Sequence, residues 1–280
     1  MNMNAELSEL VNPNLKLMED DESRLIYISQ VYYLLTGDYS YIGKMLRSLC
    51  YDNNCSFASN EIKKAINRNI HDIDNLKPVS YFAVDNGNMF FDPGIVSIHN
   101  NEVFCDCGAL DMASSLEFVY QAKGNFNKIY AFEPDPLCYE MCCDNLLMFS
   151  PGERKRILLY DFGLDEISGT RKFEHSAIPG NSRIDNIGGL TVRVEKLDAL
   201  SECRDISFFK IHTEGSEPAV IKGASELIKA NRPVLAVSLY HNLKELLDVP
   251  VFLHTLVPEY RIFMRHYSLG TSESVLYAIQ

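Results

Sequence analysis

No run of the 280-residue chain is apolar for long enough to cross a membrane. The opening MNMNAELSELVNPNLKLMEDDE lacks both the basic flank and the apolar stretch of a signal peptide. Basic residues are in short supply: 26 Lys and Arg stand against 38 Asp and Glu, a formal charge of -12. A surface of that sign repels nucleic acid and anionic lipid, so small molecules, peptides or glycans are the expected partners and a soluble, cytoplasmic protein the expected setting. The 8 cysteines do not make a disulfide scaffold in a chain of this length. Cys105 and Cys107 are too close for zinc-finger spacing, and no histidine cluster accompanies the thiols, so no metal is expected. Cys105, Cys107, Cys138, Cys142 and Cys143 read as packing residues of one buried layer.

What is present changes character near residue 100. Before it, Glu22 to Leu35 and Tyr41 to Cys50 carry apolar residues at helical spacing, and Asn60 can cap a further helix from Glu61 to about Ile70. Tyr81 to Val84 and Met89 to Phe91, separated by DNGN, suggest a hairpin stopped by Asp92-Pro93-Gly94. After residue 100, strands near Val103–Cys107, Lys128–Phe132, Arg156–Tyr160, Ile206–Ile211 and Val234–Ser238 alternate with helices near Ala113–Ala122, Pro136–Met148 and Glu217–Ala230. That is the pattern of a doubly wound α/β sheet. Ile167–Phe173 and Thr191–Val194 form a β excursion around a Gly-rich segment. A helix at Leu243–Leu253 precedes two final strands, Arg261–Arg265 and Ser274–Ile279, which suit a C-terminal antiparallel hairpin. The expected organisation is a small helical N-terminal region over 1–80 and a catalytic α/β domain over 81–280.

The segment from Val103 to Asp135, VFCDCGALDMASSLEFVYQAKGNFNKIYAFEPD, says most about chemistry. A strand runs into a tight turn at Gly108 and Ala109; a helix and a second strand follow, ending at Glu133 and Pro134. Glycine lets the backbone turn closely under a ligand, and an acid at the end of the second strand accepts hydrogen bonds from a ribose diol. Residue 112 is methionine, so the dinucleotide fingerprint is incomplete and a bound pyrophosphate is disfavoured. S-adenosylmethionine has no phosphate and can use such a turn, with Asp106 beside it and Glu133 on the ribose. Asp161 then reaches the adenine amine and Phe162 covers the ring. The plainer readings are a strand-end cap for Asp106 and a turn cap for Glu133.

These blocks, in this order, resemble the FkbM family of S-adenosylmethionine-dependent methyltransferases over about residues 90–279. FFDPGIVSI and VFCDCGALD look like the lead-in and cofactor turn, AFEPDP like the second-strand block, and LLYDFGLDE like the third. VRVEKLDAL resembles the approach to the fourth strand. FFKIHTEGSEPAVIKGASELIKANRPVLAVSLYH carries family-like Lys210, Glu214, Gly215, Glu217, Gly223, Arg232, Pro233, Tyr240 and His241. The resemblance implies a Rossmann-like methyltransferase sheet, S-adenosylmethionine as cofactor, and a small-molecule or sugar hydroxyl as acceptor. Two positions depart from the family: Met112 stands where a second glycine is usual, and His212 where the Lys-x-Asp-x-Glu-Gly block has its aspartate.

In-line methyl transfer gains rate chiefly from closeness and alignment, so no triad is required. A hydroxyl acceptor benefits from a base, and His212, Glu214 and His241 are the candidates, His212 taking or orienting the acceptor proton and Glu214 fixing the imidazole. If the strand persists, residues 210, 212 and 214 share a side, and Lys210 can pair with Glu214. Arg183, Arg193 and Arg265 are cations for an anionic acceptor. His212, Glu214, His241 and Asp161 include suitable ligand types, but their spacing forms no self-sufficient metal motif. Two function classes follow: an O-methyltransferase, or a catalytically altered cofactor-binding or protein-interaction homologue. The helical N-terminal region offers an acceptor lid or the surface of a homo-oligomer.

Overall fold

The computed structural model describes residues 3–51, 89–176, 180, 182–184, 188–268 and 270–280. Three helices open the chain, α1 (Met3–Leu17), α2 (Asp21–Thr36) and α3 (Ser40–Tyr51). The α2 boundaries follow from its ends. Asp20 accepts the Ser23 N–H at 2.7 Å, and Gly37 closes the last turn at φ 67, a conformation glycine adopts without strain. Helical spacing does not announce α1, which carries Pro13 in its interior. The helix expected near 61–70, the strand expected at Tyr81–Val84 and the boundary expected near residue 80 all lie outside the described residues. Met89–Phe91, the expected second arm of a hairpin, is turn and irregular chain instead. Its apolar character serves packing: the Phe91 ring lies 5.4–5.7 Å from those of Phe208 and Phe104.

From residue 102 strands and helices alternate: β1 (Glu102–Cys107), α4 (Ala113–Gln121), β2 (Phe126–Phe132), α5 (Pro136–Asn145), α6 (Pro151–Arg154) and β3 (Ile157–Tyr160). Short strands follow, β4 (Gly163–Leu164), β5 (Gly169–Glu174), β6 (Arg183–Ile184) and β7 (Leu190–Glu195), then β8 (Phe208–Ile211), α7 (Glu217–Gly223), α8 (Ser225–Asn231) and β9 (Val234–Ser238). The chain closes with α9 (Leu243–Leu256), β10 (Arg261–His266) and β11 (Ser274–Ile279). The single helix expected over Glu217–Ala230 is two, broken at Ala224. A Cβ on Gly223 would sit 2.1 Å from the Asp165 carbonyl oxygen, so only a glycine lets α7 approach the chain after β4 this closely.

The residues group into two compact units. One comprises 90–237 with 256–258 and 279–280, the other 1–89 with 238–255 and 259–278. In the first, β9, β8, β1, β2 and β3 lie side by side in that order, every pair parallel. Chain order therefore reverses at β1, the mark of a doubly wound, Rossmann-like sheet, and ligands of such sheets bind at the carboxyl ends beside that reversal. All of β1 and β8 is buried, and their near-continuous apolar runs are what a parallel strand covered on both faces requires. A second sheet of order β4-β7-β5-β6 packs Phe173, Val192 and Val194 into a small core with Ile184 against it.

The second unit holds α1–α3, α9 and the C-terminal antiparallel hairpin of β10 and β11. Asn14 Nδ2 donates to Tyr27 Oη at 2.7 Å and to the Leu247 carbonyl at 2.9 Å, tying α1 to α2 and α9. Arg265 on β10 reaches Asp20 at 2.7 Å and Ser23 at 2.9 Å, which fixes the start of α2.

Candidate functional site

The first unit contains a pocket at the carboxyl ends of β1, β2 and β8. Gly108, Glu133, Pro134, His212 and Glu214, all singled out from sequence, line it together. Gly108 follows β1 at φ 78, and a Cβ there would lie 1.8 Å from the His212 carbonyl oxygen. No other residue fits so close an approach between the β1 turn and the β8 exit loop. The turn's own N–H groups look inward, Gly108 and Ala109 donating to the Phe132 carbonyl at 3.0 and 3.1 Å. Met112 adopts φ 66, the left-handed region in which the family's glycine is at ease. Its side chain is fully buried and does not line the pocket.

Glu133 caps β2 at the floor of the pocket. Its Oε2 accepts the Leu110 N–H at 2.8 Å and its Oε1 the Asp135 N–H at 2.9 Å. Burial outweighs these bonds and pushes its carboxyl up to about 7. Asp135 next to it is the N-cap of α5, accepting from Leu137 N at 2.9 Å. It also holds Ser182 Oγ at 2.6 Å and His175 Nδ1 at 3.1 Å. Burial raises the Asp135 carboxyl, but these bonds prevail and keep it below the usual carboxylate range. The pocket wall facing Pro134 comes from the second sheet and the chain before it, with Gly163, Leu164, Phe173 and Ile184. Sequence reasoning missed this wall, because no local signal says that β5 and β6 fold back onto the ends of β1 and β2.

On the other side of the pocket, β8 ends at Ile211, so the expectation that 210, 212 and 214 share one face of a strand does not hold. His212 is already loop, its N–H donating to the Cys107 carbonyl at 3.0 Å, and Glu214 turns at φ 52. The turn nonetheless brings His212 Nε2 to 3.1 Å from Glu214 Oε1, with both side chains about one quarter exposed. Lys210 pairs with Asp106 rather than with Glu214. The two are register partners on β8 and β1, their charges are 2.9 Å apart, and both are at least 98 % buried. Lys210 also donates to the Gly108 carbonyl at 2.6 Å, and Asp106 accepts from Ser115 Oγ at 2.7 Å. Asp106 and Ala109 therefore stand behind the pocket wall.

Asp161 is exposed and Phe162 buried; neither lines the pocket. The Phe162 ring packs 5.6 Å from Phe132 and 5.2 Å from Tyr160, with the Arg193 guanidinium over it at 4.5 Å. His241 belongs to the other unit, its Nδ1 3.5 Å from Glu245 Oε2 and its ring 4.2 Å from Tyr240. Asn242 caps α9, accepting the Glu245 N–H at 3.0 Å. Of the three arginines, Arg183 lines the pocket and pairs with Glu174, while Arg193 pairs with Glu195 and Arg265 with Asp20. Cys105, Cys107, Cys138 and Cys142 are buried, and burial raises all four thiols, as filler requires; Cys143 is exposed and leaves that group.

The family description "Methyltransferase FkbM domain" matches residues 106–267. Among solved structures, methyltransferase FkbM from Methylobacillus flagellatus KT is similar at a TM-score of 0.70 and 20% identity, over 96% of this chain and 58% of that one. The chain thus spans a little over half of that protein, and the likeness speaks for the fold. A precorrin-6y C5,15-methyltransferase from Geobacter metallireducens GS-15 gives 0.41 at 16% identity, over 65% of this chain and 82% of that one. An O-methyltransferase from Thermotoga maritima gives 0.43 at 11% identity, over 75% and 70%. Likenesses of that order carry no argument. No curated protein matches the chain.

Proposed function

The chain belongs to the FkbM methyltransferase family, and we propose that its pocket binds S-adenosylmethionine and that the enzyme methylates a hydroxyl of a small metabolite or sugar. The donor set suits that cofactor. Glu133, Asp135 and Glu214 line the pocket with Arg183, whose guanidinium is held by Glu174, a balance that favours a diol and a positive charge over a pyrophosphate. Glu133 accepts the ribose hydroxyls. Pro134, Gly163 and Leu164, on the β3 side of the pocket, offer the apolar surface an adenine ring needs. When bound, S-adenosylmethionine supplies an electrophilic methyl group on a sulfonium centre.

The observation that carries the reading is the His212–Glu214 pair in the same pocket as Glu133 and Gly108. In transfer to a hydroxyl acceptor, the His212 imidazole would take the hydroxyl proton. The imidazolium so formed is stabilised by the Glu214 carboxylate 3.1 Å away. The departure from the family's aspartate at 212 thus replaces a carboxylate with an imidazole, a neutral ring nitrogen in place of an anion.

The test is release of S-adenosylhomocysteine from S-adenosylmethionine across a panel of sugar and small-molecule hydroxyl acceptors. Acceptor-dependent release by the wild-type protein supports the reading. Tight binding of S-adenosylhomocysteine with no release from any acceptor turns the conclusion to a cofactor-binding protein without transfer.

A further inference from the structure

The segment FFDPG has no task in the mechanism above, yet it reaches the acceptor pair. Its two phenylalanines divide the work. The Phe91 ring packs into the core, 5.4 Å from Phe208, 5.7 Å from Phe104 and 6.1 Å from Phe118. Directly after it the chain is locked by a turn, in which the Ile95 and Val96 N–H groups donate to the Asp92 carbonyl at 3.0 and 2.7 Å and the Gly94 N–H to Asp92 Oδ1 at 2.8 Å. Phe90, on that anchored stretch, meets a different set of groups. Its ring lies 6.0 Å from the His212 imidazole at an interplanar angle of 54°, and the Lys210 ammonium lies over it at 5.3 Å. Both separations fall within the range in which aromatic rings and cations hold one another. Phe90 is buried and does not line the pocket, so it touches the imidazole without touching a ligand there.

We propose that Phe90 is a positioning residue, its ring setting the plane of the His212 imidazole so that Nε2 stays on Glu214. The inference rests on the assignment of His212 as proton acceptor above. A hydrogen bond fixes one atom of a ring. With Nε2 held 3.1 Å from Glu214 Oε1, the imidazole can still swing about that contact unless a second support sets its plane. Phenylalanine suits the place, because it has neither a donor nor an acceptor to compete with Glu214 for the ring N–H. In-line methyl transfer depends steeply on alignment, so a loosened imidazole costs rate and leaves binding alone.

Two measurements on the full chain test the assignment, and the first needs no acceptor. In long-range proton–nitrogen NMR of histidine-labelled protein in alkaline solution, the His212 signals, identified by their loss in His212→Ala, are expected to show a single tautomer protonated at Nε2. Phe90→Leu is expected to turn it into a mixture of both tautomers. In the acceptor assay, Phe90→Leu is expected to lower kcat about tenfold, with acceptor KM and S-adenosylhomocysteine affinity within about twofold of wild type. In the His212→Ala background the same substitution should change kcat by less than about twofold. Phe90→Met, which refills the space with a flexible chain, carries the same expectations and takes the place of Phe90→Leu if the latter does not fold. An unchanged Nε2 tautomer in the variants, an equal fall in kcat with and without His212, or a loss of affinity as large as the loss of kcat would each overturn the proposal. No turnover by wild type, together with a tautomer that Phe90→Leu disperses, would overturn the transfer reading and support this one.

Discussion

Lys210 and His212 sit two residues apart at the end of β8, and each is paired with a carboxylate at close to 3 Å. The first pair is sealed between strands, at least 98 % buried; the second stands at a pocket mouth with about a quarter of each side chain exposed. Burial separates their tasks. A charge that water cannot reach must keep its partner, and so it builds the frame. A pair that ligands can reach can meet an acceptor, and so it can do chemistry. The exposed Lys229–Glu226 pair on α8, also at 3.1 Å, marks the third case, in which solvent takes most of the interaction away.

The largest effect should come from breaking the sealed pair. Lys210→Met leaves Asp106 buried without its counter-ion and held by Ser115 Oγ, with an expected loss of about 3–5 kcal/mol in chemical denaturation; adding Asp106→Leu should recover most of it. Glu133 comes next. A carboxyl near 7 in the folded protein and near 4.5 unfolded has a native state that prefers the proton, so its penalty is absent below about pH 4.5 and complete above about pH 7. The stability of Glu133→Gln relative to wild type should therefore rise by about 3 kcal/mol between those limits. S-adenosylhomocysteine should bind wild type more tightly as pH rises through 7, because the ionised carboxylate is the better acceptor for a diol.

Breaking the mouth pair should leave the fold alone and strike turnover. His212→Ala is expected to lower kcat about a hundredfold while S-adenosylhomocysteine affinity by calorimetry stays within about twofold. The smallest effect belongs to the surface pair, where Lys229→Ala should cost at most about 0.5 kcal/mol, and less still in high salt. A loss as large as that of Lys210→Met would undo the ordering by burial.

The parallel strands were legible in sequence because strands covered on both faces are largely apolar, as Phe208, Phe209 and Ile211 around Lys210 show in β8. Glu133 was legible for a related reason: an acid directly after AF and before Pro134 can only stand at a strand end. What could not be read depended on distant chain. The pocket wall of Leu164, Phe173 and Ile184 comes from strands whose pairing partners are set by the second sheet. The choice of Asp106 as the partner of Lys210 follows from β1–β8 register, which no spacing within either strand reports. The close approach of Gly223 to the Asp165 carbonyl is likewise a contact with distant chain.

The sealed pair also bears on how the sheet finds its alignment. Apart from Glu102 and the ion pair itself, β1 and β8 are made of Phe, Cys, Val and Ile, which can slide past one another with little change in buried apolar area. A slip of one residue would set Asp106 opposite Phe209 or Ile211 and strand two charges in the interior. The ion pair thus acts as an indexing pin. A fully apolar replacement would match its stability in the correct alignment and lose the means of rejecting the wrong ones.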